Sequence, residues 1–328
     1  MSALDVKDKK ILAQLDIDAR QSNSEIGKKV RLSKEVVKYR IDNMIESGLI
    51  VRFNTVINYF KLGIVKYKLY LQLRNINAEK LEEICLYLKD NKKTEWIASS
   101  SGKWEIMVSF LVRNINEFDE EIMALQNKYH EYIKEKSVTA TLYLAHHVRE
   151  YLQKSAYSAQ NVVYHTTKDP QEAIDDVDME LLRLLTNNAR MPVTEIAKKL
   201  KTTARVIQYR MQQLEKKQII LAYKCQLDPK IMGNIFCKGI FYISTATEQR
   251  LKEFIAYCSG IKEAVWPQRV IGNWDFEIDL EVPNYDRSQE IISDVKNRFS
   301  DIVSNSEFCI VSKEYKLDLF PNAYPTIK

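Results

Sequence analysis

The first fifty residues carry apolar side chains at the three- and four-residue spacing of amphipathic helices. The pattern predicts one helix around residues 11–15, a second around 25–30, and a third that begins after Ser33 and ends before Gly48. Ser33 suits an N-cap and Gly48 a left-handed C-terminal cap. Because only two residues separate the second helix from the third, we predict a helix-turn-helix, followed by a strand over residues 49–53.

From residue 66 onward the apolar positions alternate with polar ones, apart from two helical stretches. The pattern predicts four strands and two helices in the order β-α-β-β-α-β, over residues 66–74, 78–89, 94–101, 104–112, 116–129 and 138–145. This order is that of the ferredoxin-like fold, whose two helices cover one face of the sheet. Ile106, Val108 and Phe110 form an apolar stripe on one face of their strand, and the other face of the sheet needs a partner.

The whole plan repeats after a shift of 170 residues, without a gap. Between residues 8 and 50, 13 of 43 positions are identical to their counterparts at 178–220. Further along, Gly102 corresponds to Gly272 and Trp104 to Trp274. The period is too long for a solenoid, whose units span roughly 20–50 residues. The chain is therefore predicted to be a covalent pseudo-dimer.

The predicted fold class is α+β, with two winged helix-turn-helix domains and two ferredoxin-like domains whose sheets pack on each other within one chain. A polar stretch between the halves, rich in small residues, is predicted to be a flexible tether. The predicted boundaries are 1–53 for the first helix-turn-helix, 62–150 for the first ferredoxin-like domain, 151–173 for the linker, 174–223 for the second helix-turn-helix and 232–321 for the second ferredoxin-like domain.

Composition narrows the function only modestly. The 49 basic and 44 acidic residues leave a net charge of +5, which alone identifies no partner. The five cysteines form no CxxC pair, and no spaced Cys/His set is present, so we expect no metal and no cofactor. With no apolar leader and no stretch of about 20 apolar residues, we expect a soluble, cytoplasmic protein without membrane contact.

Positive charge is concentrated at the two helix-turn-helix segments. Residues 28–40 hold six basic side chains and one acid, and residues 198–210 hold five and none. Such charges neutralise phosphates while the third helix reaches bases in the major groove. A charged helix face can also be merely solvated, but its recurrence in two diverged copies favours DNA. The predicted contacts are Lys28, Lys29, Ser33, Lys34, Glu35, Lys38, Tyr39, Arg40, Lys198, Lys199, Thr203, Ala204, Arg205, Gln208, Tyr209 and Arg210.

The two recognition faces differ from each other. Positions 34, 35 and 38 hold Lys, Glu and Lys, whereas positions 204, 205 and 208 hold Ala, Arg and Gln. Glutamine favours adenine edges, and arginine or lysine favours guanine. We therefore predict two unlike half-sites. Tyr39 and Arg40, which both copies share, are expected to pack within the domain or to contact phosphate.

Several motifs together resemble the Lrp/AsnC, or feast/famine, family of transcription regulators. The turn of its sensing domain, Gly-x-aromatic-acid, is matched at residues 102–105 and 272–275. In the first helix-turn-helix the resemblance rests on Leu4, Asp5, Asp8, Ile11, Leu12, Arg20, Ser33, Val37, Arg40, Ile41, Gly48 and Ile50. It departs from the family in having two copies, in Glu105 where Asp is usual, and in Gln218 at the closing glycine.

The resemblance implies a winged helix-turn-helix joined to a ferredoxin-like domain that dimerises through its sheet, with further homo-oligomers. It also implies an amino-acid effector near the glycine turns. The residues implied are Ser101, Gly102, Trp104, Glu105, Gly272, Asn273, Trp274 and Asp275. The open alternative is structural: the tryptophans pack in the sheet, and the glycines relieve a hairpin of steric strain.

The predicted function is a sequence-specific regulator that binds double-stranded DNA. One alternative is a heteromeric scaffold that has lost DNA binding. Another is an enzyme, because a related group with this architecture decarboxylates a haem precursor. That group needs a cluster rich in His, Arg and Tyr near the middle strands, and residues 95–101 and 265–269 contain no histidine. We therefore predict that the protein is not an enzyme.

Overall fold

The computed structural model describes residues 4–153 and 162–320, and its first half contains the predicted helix-turn-helix. The third helix starts at the predicted cap, where the Ser33 Oγ accepts a hydrogen bond from the Val36 N–H at 3.2 Å. The elements of this half are α1 (Val6–Ile17), α2 (Asn23–Val30), α3 (Lys34–Glu46), β1 (Ile50–Ile57), a 3-10 turn (Tyr59–Leu62), β2 (Val65–Leu73), α4 (Ala78–Asp90), β3 (Thr94–Ser101), β4 (Ile106–Val112), α5 (Ile115–Tyr129) and β5 (Ile133–His146).

The segment predicted as a flexible tether contains ordered structure. It holds the short helix α6 (Glu150–Gln153) and the strand β6 (Val163–Thr166), which pairs with the end of β5. The strand β6 was not predicted because it forms by hydrogen bonding to the open edge of β5, and no local sequence pattern indicates that pairing. Residues 154–161 of the predicted linker lie outside the described residues.

The second half repeats the order of the first. Its elements are α7 (Asp176–Thr186), α8 (Val193–Lys199), α9 (Ala204–Lys216), β7 (Ile220–Leu227), β8 (Ile235–Ile243), α10 (Glu248–Ser259), β9 (Ala264–Gly272), β10 (Phe276–Val282), α11 (Tyr285–Arg298) and β11 (Val303–Leu317). The predicted α+β class, with two helix-turn-helix and two ferredoxin-like domains, is confirmed. No helix in the described part of the chain has the length and hydrophobicity that a membrane crossing requires.

The two ferredoxin-like sheets join into one closed sheet. The first has the strand order β3-β4-β2-β5 and the second β11-β8-β10-β9. Both outer strands of one pair antiparallel with outer strands of the other, β3 with β11 and β5 with β9. The sheets thus face each other, as predicted, and are also hydrogen-bonded along both edges. The result is an eight-stranded barrel.

Helices cover the outside of the barrel, while the inside holds a separate core. Phe254 and Phe276 belong to the outer core under the helices of the second half, and Phe110 and Phe118 to that of the first. Inside, Trp104 and Trp274 lie with ring centroids 5.9 Å apart. The inner face of each sheet is therefore covered by that of the other within one chain.

The two helix-turn-helix domains are held together by an exchange of contacts. Strand β1 pairs antiparallel with β7, and α1 packs on β7 while α7 packs on β1. The Arg190 guanidinium donates to the carbonyl of Ala19 at 2.8 Å, and the Arg20 guanidinium donates to the carbonyl of Ala189. The strand after each helix-turn-helix thus forms a two-stranded ribbon with its counterpart, and this ribbon fixes the two domains relative to one another.

Candidate functional site

Helices α3 and α9 present to solvent the face that lies opposite their apolar stripe. Val37 and Ile207 are fully buried, whereas Tyr39 and Tyr209 are 66% and 61% exposed. Thr203 caps α9 as Ser33 caps α3, with a 3.3 Å bond from the Val206 N–H. Ala204 and the two arginines at positions 40 and 210 are half-buried, and the remaining predicted DNA contacts are exposed.

The shared arginine at the centre of each recognition helix has partners within its own domain. The Arg40 Nη1 lies 2.7 Å from an oxygen of Asp5 and 2.7 Å from one of Asp8, at the start of α1. Arg210 makes the same two contacts with the acidic first turn of α7, both at 2.8 Å. Of the two roles considered from the sequence, these contacts favour packing over phosphate binding.

The exposed charges of the two recognition helices are balanced differently. On α3 the Lys38 ammonium lies 2.5 Å from the carboxylate of Asp42, and the Lys34 ammonium lies 3.7 Å from that of Glu35. Positions 205, 212 and 216 of α9 hold Arg, Gln and Lys, where the first copy has Glu35, Asp42 and Glu46. The face of α9 therefore carries uncompensated positive charge, whereas that of α3 is close to neutral.

The tryptophans of the two glycine turns point into the barrel. Trp104 and Trp274 are each 1% exposed. The Trp104 Nε1 donates to Glu307 at 2.8 Å, and the Trp274 Nε1 donates to Glu277 at 2.9 Å. Sheet packing, the structural alternative, thus describes both side chains.

The other turn residues also contact protein. The Glu105 carboxylate accepts from the Leu73 N–H at 2.9 Å, and the Asp275 carboxylate accepts from the Ile243 N–H at 2.7 Å. A Cβ on Gly102 would lie 2.9 Å from the Phe308 carbonyl oxygen, and one on Gly272 would lie 2.3 Å from a backbone oxygen of β5. Ser101 and Asn273 are exposed beside them. The two glycines thus lie against the backbone of the other half, whereas the two carboxylates bind backbone N–H groups of their own half.

The barrel interior contains charges that the sequence analysis missed. The Lys66 ammonium lies 2.7 Å from Glu95, and Lys68 and Lys238 share the carboxylate of Glu277, with every partner buried. Burial lowers the pKa of Lys68 to about 7. Charges at every second strand position were the available signal, since they share the inward face of β2 and β10. In the described residues, no group of three His, Cys, Asp or Glu side chains is arranged to hold a metal.

A buried arginine links the first helix-turn-helix to the barrel. The Arg149 Nη1 donates to Asp16 of α1 at 2.9 Å, and its Nε donates to Glu281 of β10 at 2.9 Å. Its Nη1 also lies 3.4 Å from the Cys225 carbonyl oxygen of β7. One guanidinium therefore connects three elements from both halves.

A cavity of about 360 Å³ opens between the β1–β7 ribbon and the barrel. Its aromatic walls are Phe236, Trp266 and Tyr315, and its charged groups include Arg52 and Glu314. A volume of this order is typical of small-molecule sites. We call this space the ribbon cavity.

Comparisons with known proteins support the helix-turn-helix assignment. The model of the AsnC-type helix-turn-helix domain matches residues 4–45 and 174–215. The transcriptional regulator LrpB of Bacillus subtilis is 32% identical over 125 residues, which is 38% of this chain and 79% of that protein. The transcriptional regulator AzlB of the same species is 30% identical over 118 residues, which is 35% of this chain and 74% of that protein.

A solved structure matches both halves together. The siroheme decarboxylase NirDL aligns with a TM-score of 0.64 at 11% sequence identity, covering 94% of this chain and 92% of that chain. At this identity the likeness establishes the shared fold. The prediction that the protein is not an enzyme was wrong: the lack of histidine in residues 95–101 and 265–269 does not exclude an enzyme, since a decarboxylase shares the fold of nearly the whole chain.

Proposed function

Because the chain belongs to the Lrp/AsnC family of transcription regulators, we propose that it binds double-stranded DNA sequence-specifically and regulates transcription through two unlike recognition helices. The observation that carries the proposal is the exposure of α3 and α9 on two domains that one ribbon holds together. Both helices are capped, and their outward faces carry different polar side chains. A single chain would then read two half-sites about one helical turn, or a multiple of it, apart.

The charge difference between the helices gives the half-sites unequal roles. We propose that α9 supplies most of the electrostatic attraction through Arg205, which occupies the position of Glu35, while the neutral Gln212 occupies that of Asp42. Helix α3, with its paired lysines, would contribute orientation and base preference. The operator would then be non-palindromic, with a fixed orientation.

The test is selection of DNA from a random pool, followed by fluorescence anisotropy of the selected site against salt. We expect a composite site with two unlike halves and a steep salt dependence. The triple variant Lys34→Glu, Lys38→Glu and Arg205→Glu should lose affinity by orders of magnitude, and each lost phosphate contact should reduce the salt slope by about 0.9.

A matched control places the same charge changes on the outer helices. Lys89, Lys252 and Lys296 lie on α4, α10 and α11, and all three are exposed. Their triple change to glutamate alters the net charge equally and should weaken binding far less. If both triple variants bind equally, or if no motif is enriched, the recognition helices do not read DNA and the scaffold and enzyme alternatives remain.

A further inference from the structure

The ribbon cavity lies where the DNA-binding ribbon meets the barrel. Arg52 on β1 and Gln226 on β7 line one side, and Phe236, Trp266 and Glu314 line the barrel side. An occupant would therefore touch both the strands that carry the helix-turn-helix domains and the barrel below them.

The duplication shows that this space is open in one half of the molecule and filled in the other. The cavity is lined by residues 313–316 of β11. A shift of 170 residues places them on residues 143–146 of β5, and that stretch is paired with β6. On that side His165 of β6 packs against Tyr59 and Phe60 at centroid distances of 4.6 and 5.2 Å. The linker strand occupies the place that stays open beside β11.

The polar residues of the open side replace apolar ones on the filled side. Glu314 corresponds to Leu144. Gln226 corresponds to Val56 and Arg52 to Ala222, so three polar positions of the cavity have apolar counterparts. Leu144 is 3% and Val56 1% exposed, as expected for a packed junction. Loss of a filling strand alone would have left apolar walls, whereas this cavity carries a specific polar set.

The carboxylate of Glu314 is held in place without a cation. It accepts from the Trp96 Nε1 at 2.9 Å and from the Gln226 Nε2 at 3.1 Å, both neutral donors. In the described ranges 4–153 and 162–320 it forms no ion pair.

The cations around the cavity are engaged elsewhere or stand apart from Glu314. Arg52 donates to the Asn187 side chain at 3.3 Å. The three lysines that line the cavity each donate to another protein oxygen: Lys230 to Ser312 at 2.5 Å, Lys313 to Glu82 at 2.7 Å and Lys316 to Asn91 at 3.0 Å. The cavity is also lined by Glu281, which is paired with Arg149, and by Asp228, which accepts from the backbone N–H groups of Lys230 and Ile231. Among the described residues, Glu314 is thus one of two acidic groups of the cavity without an ion pair.

We propose that the ribbon cavity binds a small organic amine, whose protonated nitrogen pairs with the Glu314 carboxylate and whose planar or apolar body packs against Trp266 and Phe236. Those two rings stand edge to face at a centroid distance of 5.9 Å. A charge-assisted hydrogen bond would fix the amine, and the aromatic faces add cation–π attraction. An amine that also carries a carboxylate would place it towards Arg52.

The proposal is tested by isothermal titration calorimetry of the full chain with three matched probes: phenethylamine, phenylpropionate and phenylalanine. We expect phenethylamine to bind saturably, with a Kd below about 1 mM for a ligand of this size. Glu314→Gln, which keeps an acceptor for Trp96, should weaken it at least about tenfold. Glu314→Leu, which copies the filled side, should abolish binding, and Glu253→Gln on the exposed face of α10 should leave it unchanged.

The third probe, phenylalanine, distinguishes an amino acid from a simple amine as the ligand. Tighter binding of phenylalanine than of phenethylamine, lost in Arg52→Ala, would identify an amino acid, and equal or weaker binding would identify a simple amine. The proposal is overturned if phenylpropionate binds as tightly as phenethylamine. It is also overturned if Glu314→Gln leaves the affinity for phenethylamine unchanged, or if no probe binds saturably up to about 10 mM. None of these readouts involves DNA, so failure here leaves the proposed function standing.

Discussion

Replacing Arg149 with leucine should destabilise the protein by about 3–5 kcal/mol. The side chain binds Asp16 and Glu281, which are 0% and 2% exposed. Without the guanidinium both carboxylates remain buried and lose their ion pairs with Arg149, and a buried carboxylate is costly unless it is paired. For a chain of this length, about 4 kcal/mol corresponds to a fall in Tm of about 6 °C.

The equivalent positions of the other half show which residues could replace this buried charge cluster. Shifted by 170 residues, Asp16, Arg149 and Glu281 correspond to threonine at 186, leucine at 319 and leucine at 111. An apolar junction therefore exists at the equivalent place in the same molecule. The triple variant Asp16→Thr, Arg149→Leu and Glu281→Leu should recover most of the loss and lie within about 2 kcal/mol of the parent, because apolar replacements of buried ion pairs are often neutral or stabilising.

Urea unfolding followed by circular dichroism measures both variants, with hydrogen exchange of α1 reporting on its docking to the barrel. The single variant should expose α1 amides to exchange before the rest of the barrel opens. If Arg149→Leu stays within about 1 kcal/mol of the parent, or if the triple variant is as unstable as the single one, the reasoning about buried charge is refuted.

Two further predictions follow from backbone conformation. Gln218 adopts the left-handed conformation, with φ of 56°, where the first half has Gly48. Gln218→Gly should therefore raise stability in urea by about 1 kcal/mol, and a loss would contradict this. Gly272→Ala should disrupt the β5–β9 edge, because its Cβ would lie 2.3 Å from a backbone oxygen. A Cβ on Gly233 would have no atom within 4 Å, so Gly233→Ala should show only the milder strain of its positive φ. Differential scanning calorimetry of the two alanine variants measures the difference.

Sequence patterns predicted much of the fold because most of its helices and strands depend on residues that are close together in the chain. Ser33 caps α3 as its residue type and position indicated. Strand β5, expected over 138–145, runs over Ile133–His146, since it pairs with β2, β9 and β6 in turn and tertiary pairing extends it beyond its alternating core. The strand β6 has only four residues and no usable periodicity, so the linker was interpreted as a tether.

The candidate site could likewise be predicted only in part. The exposed faces of α3 and α9 could be predicted, because helical spacing alone decides which side chains point outward. The direction of Trp104 could not, since it depends on which sheet face meets the other half. The interior charges, Arg149 and the ribbon cavity arise where non-equivalent residues of the two copies meet, and neither copy read alone contains that information.

The closed barrel changes what a single substitution can do. In a dimer of identical chains every change appears twice, on both sides of the two-fold axis, so any specialisation must suit both positions. Here one chain supplies both strands of each pairing between the two sheets, β3 with β11 and β5 with β9. Glu314 and Leu144 therefore vary independently although they occupy equivalent places. Fusion makes the asymmetry heritable: one side can stay packed as a fixed support while the other is free to acquire a new role.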